Sequence, residues 1–136
     1  MSKVSVLLVD KSQDNKGIIA NASFVLGLTA GRELPDETFG PNVVDGDSSE
    51  HRYLTNIGHY VRKAGQSKLR ALREYFVEQP DTVVVDYTED AAPADYTEYE
   101  KTLGAHSGDA ISYRAVYVYG PEEVVVPKTK NLSVLN

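Results

Sequence analysis

The chain has 136 residues, 41% of them apolar and 25% charged, and a formal net charge of −6 at pH 7. Its length fits one domain that buries about two-thirds of the surface of the unfolded chain, and its composition argues against disorder. The absence of cysteine excludes disulfides, thiolate catalysis and cysteine-ligated zinc. We expect a single domain over residues 1–136.

The first residues, MSKVSVLLVDKSQD, contain a short apolar run that ends at Asp10. A signal peptide needs a longer apolar core with a small-residue cleavage site, and a membrane span needs about 20 apolar residues. Neither pattern is present in this segment. We therefore expect a cytoplasmic protein without a membrane partner.

The front of the chain predicts a buried strand followed by a helix. The aliphatic and β-branched residues of Lys3–Asp10 favour the strand. The helix is expected to start near Gly17, with Asp14 or Asn15 as its cap, and to end at Gly31. Apolar residues that recur at three- and four-residue spacing would face a sheet. They are Ile18, Ala22, Val25, Leu26 and Thr29, with Ile19, Phe24 and Leu28 broadening the stripe.

The middle of the chain predicts short strands before a second helix. Residues 34–47 have the pattern of a loop and a short strand, and residues 57–61 that of another strand. The helix is expected to begin at Ser67, its N-cap, and to stop before Pro80. Its buried side would be formed by Leu69, Leu72 and Phe76.

The last third of the sequence contains the segments that we expect to form the centre of the sheet. Residues 82–88 contain three successive valines, a pattern typical of a central strand that is covered on both faces. Residues 94–103 predict a short acidic helix, and residues 111–120 predict a long strand before a Gly-Pro turn. Alternation in this strand places four side chains on one face, namely Tyr113, Ala115, Tyr117 and Tyr119. The order of elements predicts an α/β/α sandwich with a mixed sheet.

Charge is distributed unevenly along the sequence. Residues 62–73 include five cations and no acid, whereas residues 86–109 include seven acids and one lysine. Such runs are most often solvated faces. They could also meet, within the chain or across a dimer, or the basic run could receive a phosphate.

Two segments, VLLVDKSQDNKGIIANASFVLGL near the front and VYVYGPEEVVVPKTKNLSVL at the tail, resemble the peptidyl-tRNA hydrolase type II family. In that family a Gly-Lys-small-Ala-Ala-Gln run opens the first helix, and a histidine follows three residues later. Here Gly17 stands at the lysine position, Asn21 at the glutamine position and Phe24 at the histidine position, while Lys16 lies one position early. The resemblance implies the family's α/β fold without its complete catalytic set.

The rest of the resemblance supplies further candidate residues. Asp86 stands where the family has an aspartate after a valine-rich strand, and Thr88 or a later residue replaces a threonine. The resemblance therefore implies Asp86 and Lys16 as catalytic residues, and Asn21, Gly17, Thr88 and Thr129 as ligand-binding residues. The tail also matches the family pattern at Gly120, Pro121, Glu122, Glu123, Leu132 and Leu135.

A second resemblance rests on residues 89–109, which the hydrolase pattern lacks, and on the motif from Val44-Asp45-Gly46-Asp47 to His51. These residues are similar to the bacterial family known as domain of unknown function 2000, whose members share this fold. No activity is established for that family, so the resemblance implies a fold and no function.

Other polar residues have weaker patterns. Asp45, Asp47 and His51 offer oxygen and nitrogen ligands, but Asp-Gly-Asp-Ser is also an ordinary turn, and we expect no metal. His59 and His106 could each act as a general base, although no serine, histidine and acid spacing supports a triad. No cofactor is expected.

Two functions remain open. The favoured hypothesis is a protein that binds a small ligand, of unknown identity, or is regulatory, because Gly17 and Phe24 replace polar catalytic groups. The alternative is a hydrolase of acylated amino acids or aminoacyl-tRNA esters and amides that uses Asp86 and Lys16. Nucleic-acid binding is disfavoured, since only residues 62–73 offer phosphate contacts. The resemblance and the complementary charge runs predict a homodimer.

Overall fold

A computed structural model describes residues 2–92 and 95–136. Within these residues a five-stranded mixed sheet and a separate two-stranded hairpin accompany four α-helices. The strands are β1 (Lys3–Asp10), β2 (Val43–Val44), β3 (Glu50–His51), β4 (Gly58–Ala64), β5 (Val83–Thr88), β6 (Tyr113–Pro121) and β7 (Ser133–Val134). The helices are α1 (Lys16–Glu33), α2 (Gln66–Val77), α3 (Tyr96–Gly104) and α4 (Glu122–Thr129). The predicted α/β class with a mixed sheet is confirmed.

The order of strands in the large sheet is β5-β6-β1-β4-β7. β1 pairs in parallel with β4 and antiparallel with β6, and β6 pairs antiparallel with β5. β1, β4 and β5 therefore run in the same direction, and their carboxyl ends lie at the same end of the sheet. In open α/β sheets ligands bind just outside these carboxyl ends.

The helices cover the two faces of the sheet with separate apolar cores. α1 packs on β5 and β6, and its buried residues Ala22, Leu26 and Ala30 meet the side chains of Ala115 and Tyr119. On the other face α2 and α4 pack over β1, β5 and β6. The core on that face consists of Val4, Val6, Leu8, Ala64, Leu69, Leu72, Phe76, Tyr113, Val116, Val118 and Val125.

The strand expected at the centre of the sheet lies at its edge. β5 pairs only with β6, and β6 and β1 occupy the middle. Both faces of β5 are covered, by α1 on one side and α2 on the other, and this coverage accounts for the run of valines. Covered faces do not determine which neighbours a strand has within the sheet, and the prediction of a central position was wrong for this reason.

Helix α1 extends farther along the chain than its sequence pattern predicts, and its buried stripe is narrower than expected. Asn15 is its N-cap and accepts a hydrogen bond from the N–H of Ile18 at 3.2 Å. The helix continues past Gly31 to Glu33 and ends before the buried Leu34. Two apolar residues expected to broaden its buried stripe are exposed: Phe24 is 61% and Leu28 is 70% exposed.

The N-cap of helix α2 lies two residues before the predicted one. Its N-cap is Gly65 rather than Ser67, and no side chain caps it. The first residue, Gln66, instead pairs with the backbone of Tyr113, donating to its carbonyl oxygen and accepting from its N–H at 2.8 Å each. This tertiary contact replaces the local cap. The predicted buried side of α2 is confirmed.

The C-terminal segment contains a helix that the sequence pattern did not indicate. Gly120-Pro121 is the end of β6 rather than a turn, and α4 follows at once. Its three valines favour a strand and its proline, Pro127, disfavours a helix interior. Burial of Val125 and Thr129 against the sheet outweighs these local preferences.

The face of one tyrosine in β6 also differs from the alternating pattern. Tyr87 pairs with Ala115, but Thr88 pairs with Tyr113, so Arg114 is an extra residue in β6. Such a bulge reverses the alternation. Tyr113 therefore belongs to the core under α2, whereas Tyr117 and Tyr119 face α1.

Two smaller features complete the described chain. β2 and β3 form a hairpin around residues 45–49, and α3 begins at the N-cap Asp95, which accepts from the N–H of Glu98 at 2.9 Å. Ala94, the expected start of this helix, lies outside the described residues. None of the helices in the described ranges combines the length and apolarity that crossing a bilayer requires.

Candidate functional site

A cavity lies where β1 and β4 end and α1 begins. Its volume is about 520 Å³. Charged and polar side chains from the loop after β1 meet apolar ones from α1 and the C-terminal residues. The lining residues are Asp10, Lys11, Gln13, Asp14, Lys16, Ile19, Ala20, Lys63, Leu135 and Asn136. The cavity therefore lies at the carboxyl ends of the two parallel strands β1 and β4.

Backbone hydrogen bonds hold the loop between β1 and α1 in place. The N–H of Lys11 donates to the carbonyl oxygen of Ala64 at 2.9 Å, which ties the loop to the end of β4. The N–H of Gln13 donates to Asp10, and its side-chain oxygen accepts from the N–H of Asn15. The loop that forms one wall of the cavity therefore has a defined conformation.

Three lysines, Lys11, Lys16 and Lys63, line the cavity together with two aspartates, Asp10 and Asp14. Among the described residues none of the three lysines forms an ion pair. Lys63 contacts the side-chain oxygen of an asparagine at 3.4 Å. The carboxylate of Asp10 accepts hydrogen bonds from the N–H and hydroxyl of a neighbouring serine at 2.9–3.0 Å. The cavity thus presents cations whose charge no neighbouring carboxylate neutralises directly.

Of the residues suggested by the sequence, Lys16 and Gly17 lie at this end of α1. Lys16 lines the cavity, and Gly17 is the second residue of the helix and exposed. A β-carbon on Gly17 would stand 3.2 Å from Oδ1 of Asn15, the capping atom. Glycine thus leaves room for the cap.

Asp86 points away from this cavity. Its Oδ2 accepts a hydrogen bond from Nε of Arg73 at 2.8 Å, and Arg73 belongs to α2 on the opposite face of the sheet from α1. β5 is two strands from β1, a separation of about 10 Å in the plane of the sheet. The structure therefore does not bring Asp86 and Lys16 together.

The remaining suggested ligand-binding residues are dispersed. Asn21 lies on α1 near Tyr87, whose hydroxyl is 3.5 Å from its side-chain oxygen. Thr88 is buried at the end of β5, and its hydroxyl has no hydrogen-bond partner among the described residues. Thr129 is buried in α4 and donates to the carbonyl oxygen of Val125 at 2.9 Å.

The basic and acidic runs meet within the chain. Arg70 approaches the carboxylate of Asp109 at 3.5 Å and donates to the carbonyl oxygens of Gly108 and Ile111 at 3.1 and 2.8 Å. The Arg73–Asp86 pair joins the same two runs. These contacts fix residues 108–111 against α2, and they confirm the intrachain alternative.

The polar hairpin turn is organised by Asp45. Its carboxylate contacts Nε2 of His51 at 2.7 Å and accepts from the N–H of Asp47 and of Ser49. Hydrogen bonding to His51, and then to the two backbone groups, lowers the pKa of Asp45. Asp47 contributes only its backbone here. Within the described ranges, no three acid or histidine side chains are grouped as a metal site would require.

A second cavity, of about 240 Å³, lies farther along α1. It is lined by Leu7, Ser23, Gly27, Ala30, Gly31, Leu34, Phe39, Thr55, His59 and Tyr117. Its histidine contacts Thr55 through Nε2, and partial burial lowers the pKa of His59. The other histidine considered as a base, His106, contacts Asp90 at 3.0 Å outside both cavities.

Sequence analysis included Lys63 only as a member of the basic run of residues 62–73, and it indicated neither Lys11 nor the second cavity. Lys63 is the second-last residue of β4 and Asp10 the last of β1, and the parallel pairing of β1 with β4 brings these strand ends together. That pairing depends on contacts between residues more than 50 positions apart. No local motif records it.

The family assignment follows from a match along almost the whole chain. The family model of proteins of unknown function, DUF2000, matches residues 2–136. The chain belongs to the DUF2000 family. The second resemblance noted in the sequence is thereby confirmed.

The fold of this DUF2000 protein also occurs in a solved structure. It is similar to a protein of unknown function from Agrobacterium tumefaciens strain C58, with a TM-score of 0.80 and 15% identity, over 100% of this chain and 99% of that one. At this identity the likeness shows a shared fold and nothing about activity. Among curated proteins, no sequence relative was found.

Proposed function

We propose that this DUF2000 protein binds a small anionic ligand in the cavity at the start of α1 and performs no chemistry on it. The observation that carries the proposal is the group Lys11, Lys16 and Lys63, which line a 520 Å³ cavity without an ion pair among the described residues. A carboxylate or phosphate there would gain charge-assisted hydrogen bonds. The proposal retains the peptidyl-tRNA hydrolase type II-like architecture as its expected framework.

The volume of the cavity suits a small molecule. Ligand sites combine apolar surface with a few polar groups that fix orientation. Here Ile19, Ala20 and Leu135 supply the apolar surface beside the lysines. Asp10 and Asp14 stand at the same rim, so a ligand that also carries an amide or ammonium donor would find acceptors.

The hydrolase alternative has less support from the same geometry. A general base must lie within hydrogen-bond reach of the reacting group. Asp86 is held by Arg73 on the far face of the sheet, while Lys16 lines the cavity on the near face. Asn21, Thr88 and Thr129 do not line the cavity either. We therefore propose Lys16 as a ligand-contacting residue and assign no base; Gly17, the next residue of α1, does not line the cavity.

The proposal is tested by calorimetric titration with acetate, inorganic phosphate and N-acetylglycine. Lys16→Ala and Lys63→Ala should each weaken binding about tenfold, the effect of losing one hydrogen bond to a charged group. Lys68→Ala, on α2, is the matched control and should bind like the unaltered protein. Absence of binding by all three probes would contradict the proposal.

Turnover of an N-acyl-aminoacyl-tRNA separates the two functions. The binding protein should release no amino acid from this substrate. Cleavage that Lys16→Ala and Asp86→Asn both abolish would establish the hydrolase and overturn the present proposal. Steep weakening of tRNA binding with salt would accompany it.

We also propose that the protein forms a homodimer. The charge runs no longer support this, because they pair within the chain. The support is the outer side of α1, where Phe24 and Leu28 expose most of their apolar surface one turn apart. Large exposed apolar residues in contiguous positions mark association surfaces.

A further inference from the structure

We propose that the cavity at the start of α1 and the cavity beside Gly27 are the ends of one groove, and that its ligand has an anionic head at the lysine end and a hydrocarbon tail at the other. This inference rests on the proposed function, whose ligand class it specifies. The groove is defined by one side of α1, the open face of β4 beside Leu7 of β1, and the segment around Phe39 and Thr55 that closes its far end.

The floor of the groove is the face of β4 on the α1 side, on which no helix of the described residues packs closely. α1 packs on β5 and β6, so the corresponding face of β4 is open. His59, Val61 and Lys63 alternate with β4 residues on the side of the sheet that carries α2 and α4, and all three therefore point to the α1 side. His59 lines the second cavity and Lys63 the first, while Val61, 39% exposed, lies between them. An apolar surface thus connects the two cavities.

The wall of the groove is continuous along α1. Ile19 and Ala20 line the first cavity, and Ser23 and Gly27 line the second, at successive turns on one side of the helix. A β-carbon on Gly27 would find no atom within 4 Å, so the space beside this residue is open. From Lys16 to the end of the second cavity at Gly31 the helix rises about 22 Å.

Each polar side chain in the second cavity already makes a hydrogen bond within the protein. The hydroxyl of Ser23 donates to the carbonyl oxygen of Ile19 at 2.7 Å, and Tyr117 pairs with Ser5. His59 pairs with a threonine hydroxyl. A ligand group that enters this cavity meets apolar carbon and satisfied polar groups, and a hydrocarbon chain fits that environment.

Charge complementarity fixes the direction of the ligand. The three lysines lie at one end of the groove only, and the lining of the far end contains no lysine, arginine or acid. An anionic head therefore binds at the start of α1, and the tail extends toward Leu34 and Phe39. The matching ligand class is a single-chain carboxylate or an acylated amino acid.

The test measures dissociation constants of acetate, butyrate, octanoate and decanoate below their micelle concentrations. Each methylene that enters the groove should strengthen binding about fourfold, equivalent to about 0.8 kcal/mol. Gly27→Leu, which fills the second cavity, should abolish this increase for the longer acids and leave acetate binding unchanged. Ala71→Leu, on the outer side of α2, is the matched control.

The outcomes distinguish this inference from the proposed function. Acetate binding without a dependence on chain length overturns the groove and leaves the anion site intact. A chain-length dependence that Gly27→Leu does not alter places the tail elsewhere and also overturns the groove. Absence of binding by every acid and by inorganic phosphate overturns both.

Discussion

Nε of Arg73 in α2 donates a hydrogen bond to Oδ2 of Asp86 in β5 at 2.8 Å. This bond, with the nearby negative charge, raises the pKa of Arg73. The pair joins the basic run to the acidic run and holds the edge strand under α2. Asp86, the residue most expected to act on a ligand, is therefore engaged in a structural contact.

The Arg73–Asp86 pair should contribute measurable coupling to stability. We expect Asp86→Asn to lower the free energy of unfolding by about 1 kcal/mol, because the pair is partly exposed and loses a charge-assisted bond. A double-mutant cycle with Arg73→Gln, followed by urea denaturation, measures the coupling directly. A coupling energy indistinguishable from zero would show that the pair is not energetically important.

Much of the architecture could be predicted from local patterns. The β1 strand, the N-cap Asn15 of α1 and the buried side of α2 follow from apolar spacing and capping chemistry. These features depend on residues within a few positions of one another. The edge position of β5 and the helix α4 do not, because both are set by contacts with strands distant in the sequence.

The lining of the cavity that we propose as a ligand site was predictable only in part for the same reason. Lys16 was identified from a family resemblance and lines this cavity. Lys63 reaches that cavity through the parallel pairing of β4 with β1, which joins residues 54 positions apart. Asp86 lies toward the carboxyl end of its strand, as expected, but its side chain meets α2, and the unbroken apolar run before it does not reveal which face α1 covers.

Gly120 lets the side chains of Thr82 and Val125 pack close to the backbone of β6, which a larger residue would prevent. A β-carbon at this position would stand 2.7 Å from Cγ2 of Thr82 and 3.2 Å from Cγ2 of Val125. Thr82 cannot readily move, because its hydroxyl donates to the carbonyl oxygen of Phe76. We expect Gly120→Ala to lower the free energy of unfolding by about 1–3 kcal/mol, the usual cost of overpacking. Gly104→Ala, which meets no atom within 4 Å, should change it by less than about 0.5 kcal/mol in the same urea titration.

His59 should make the stability of the protein dependent on pH. Partial burial lowers the pKa of His59 below 6.5, so the unfolded chain binds this proton more readily than the folded one. The stability associated with neutral His59 is fully present above the pKa of this histidine in the unfolded chain. It is lost as the pH falls from about 6.5 through the lower pKa of the histidine in the folded protein. Urea midpoints at pH 7.5 and 5.5 should therefore differ more for the unaltered protein than for His59→Gln. An equal difference in both proteins would show that other groups cause the dependence.

The outer side of α1 should mediate dimer formation. We expect light scattering at micromolar concentration to give twice the mass of one chain. The double change Phe24→Asp and Leu28→Asp should give the monomer mass, because it places charges where two apolar side chains are now 61% and 70% exposed. Val77→Asp, at an exposed apolar position on α2, is the matched control and should remain dimeric. If the unaltered protein has the mass of one chain, the homodimer is excluded under these conditions. If all three proteins are dimeric, the interface lies on another surface.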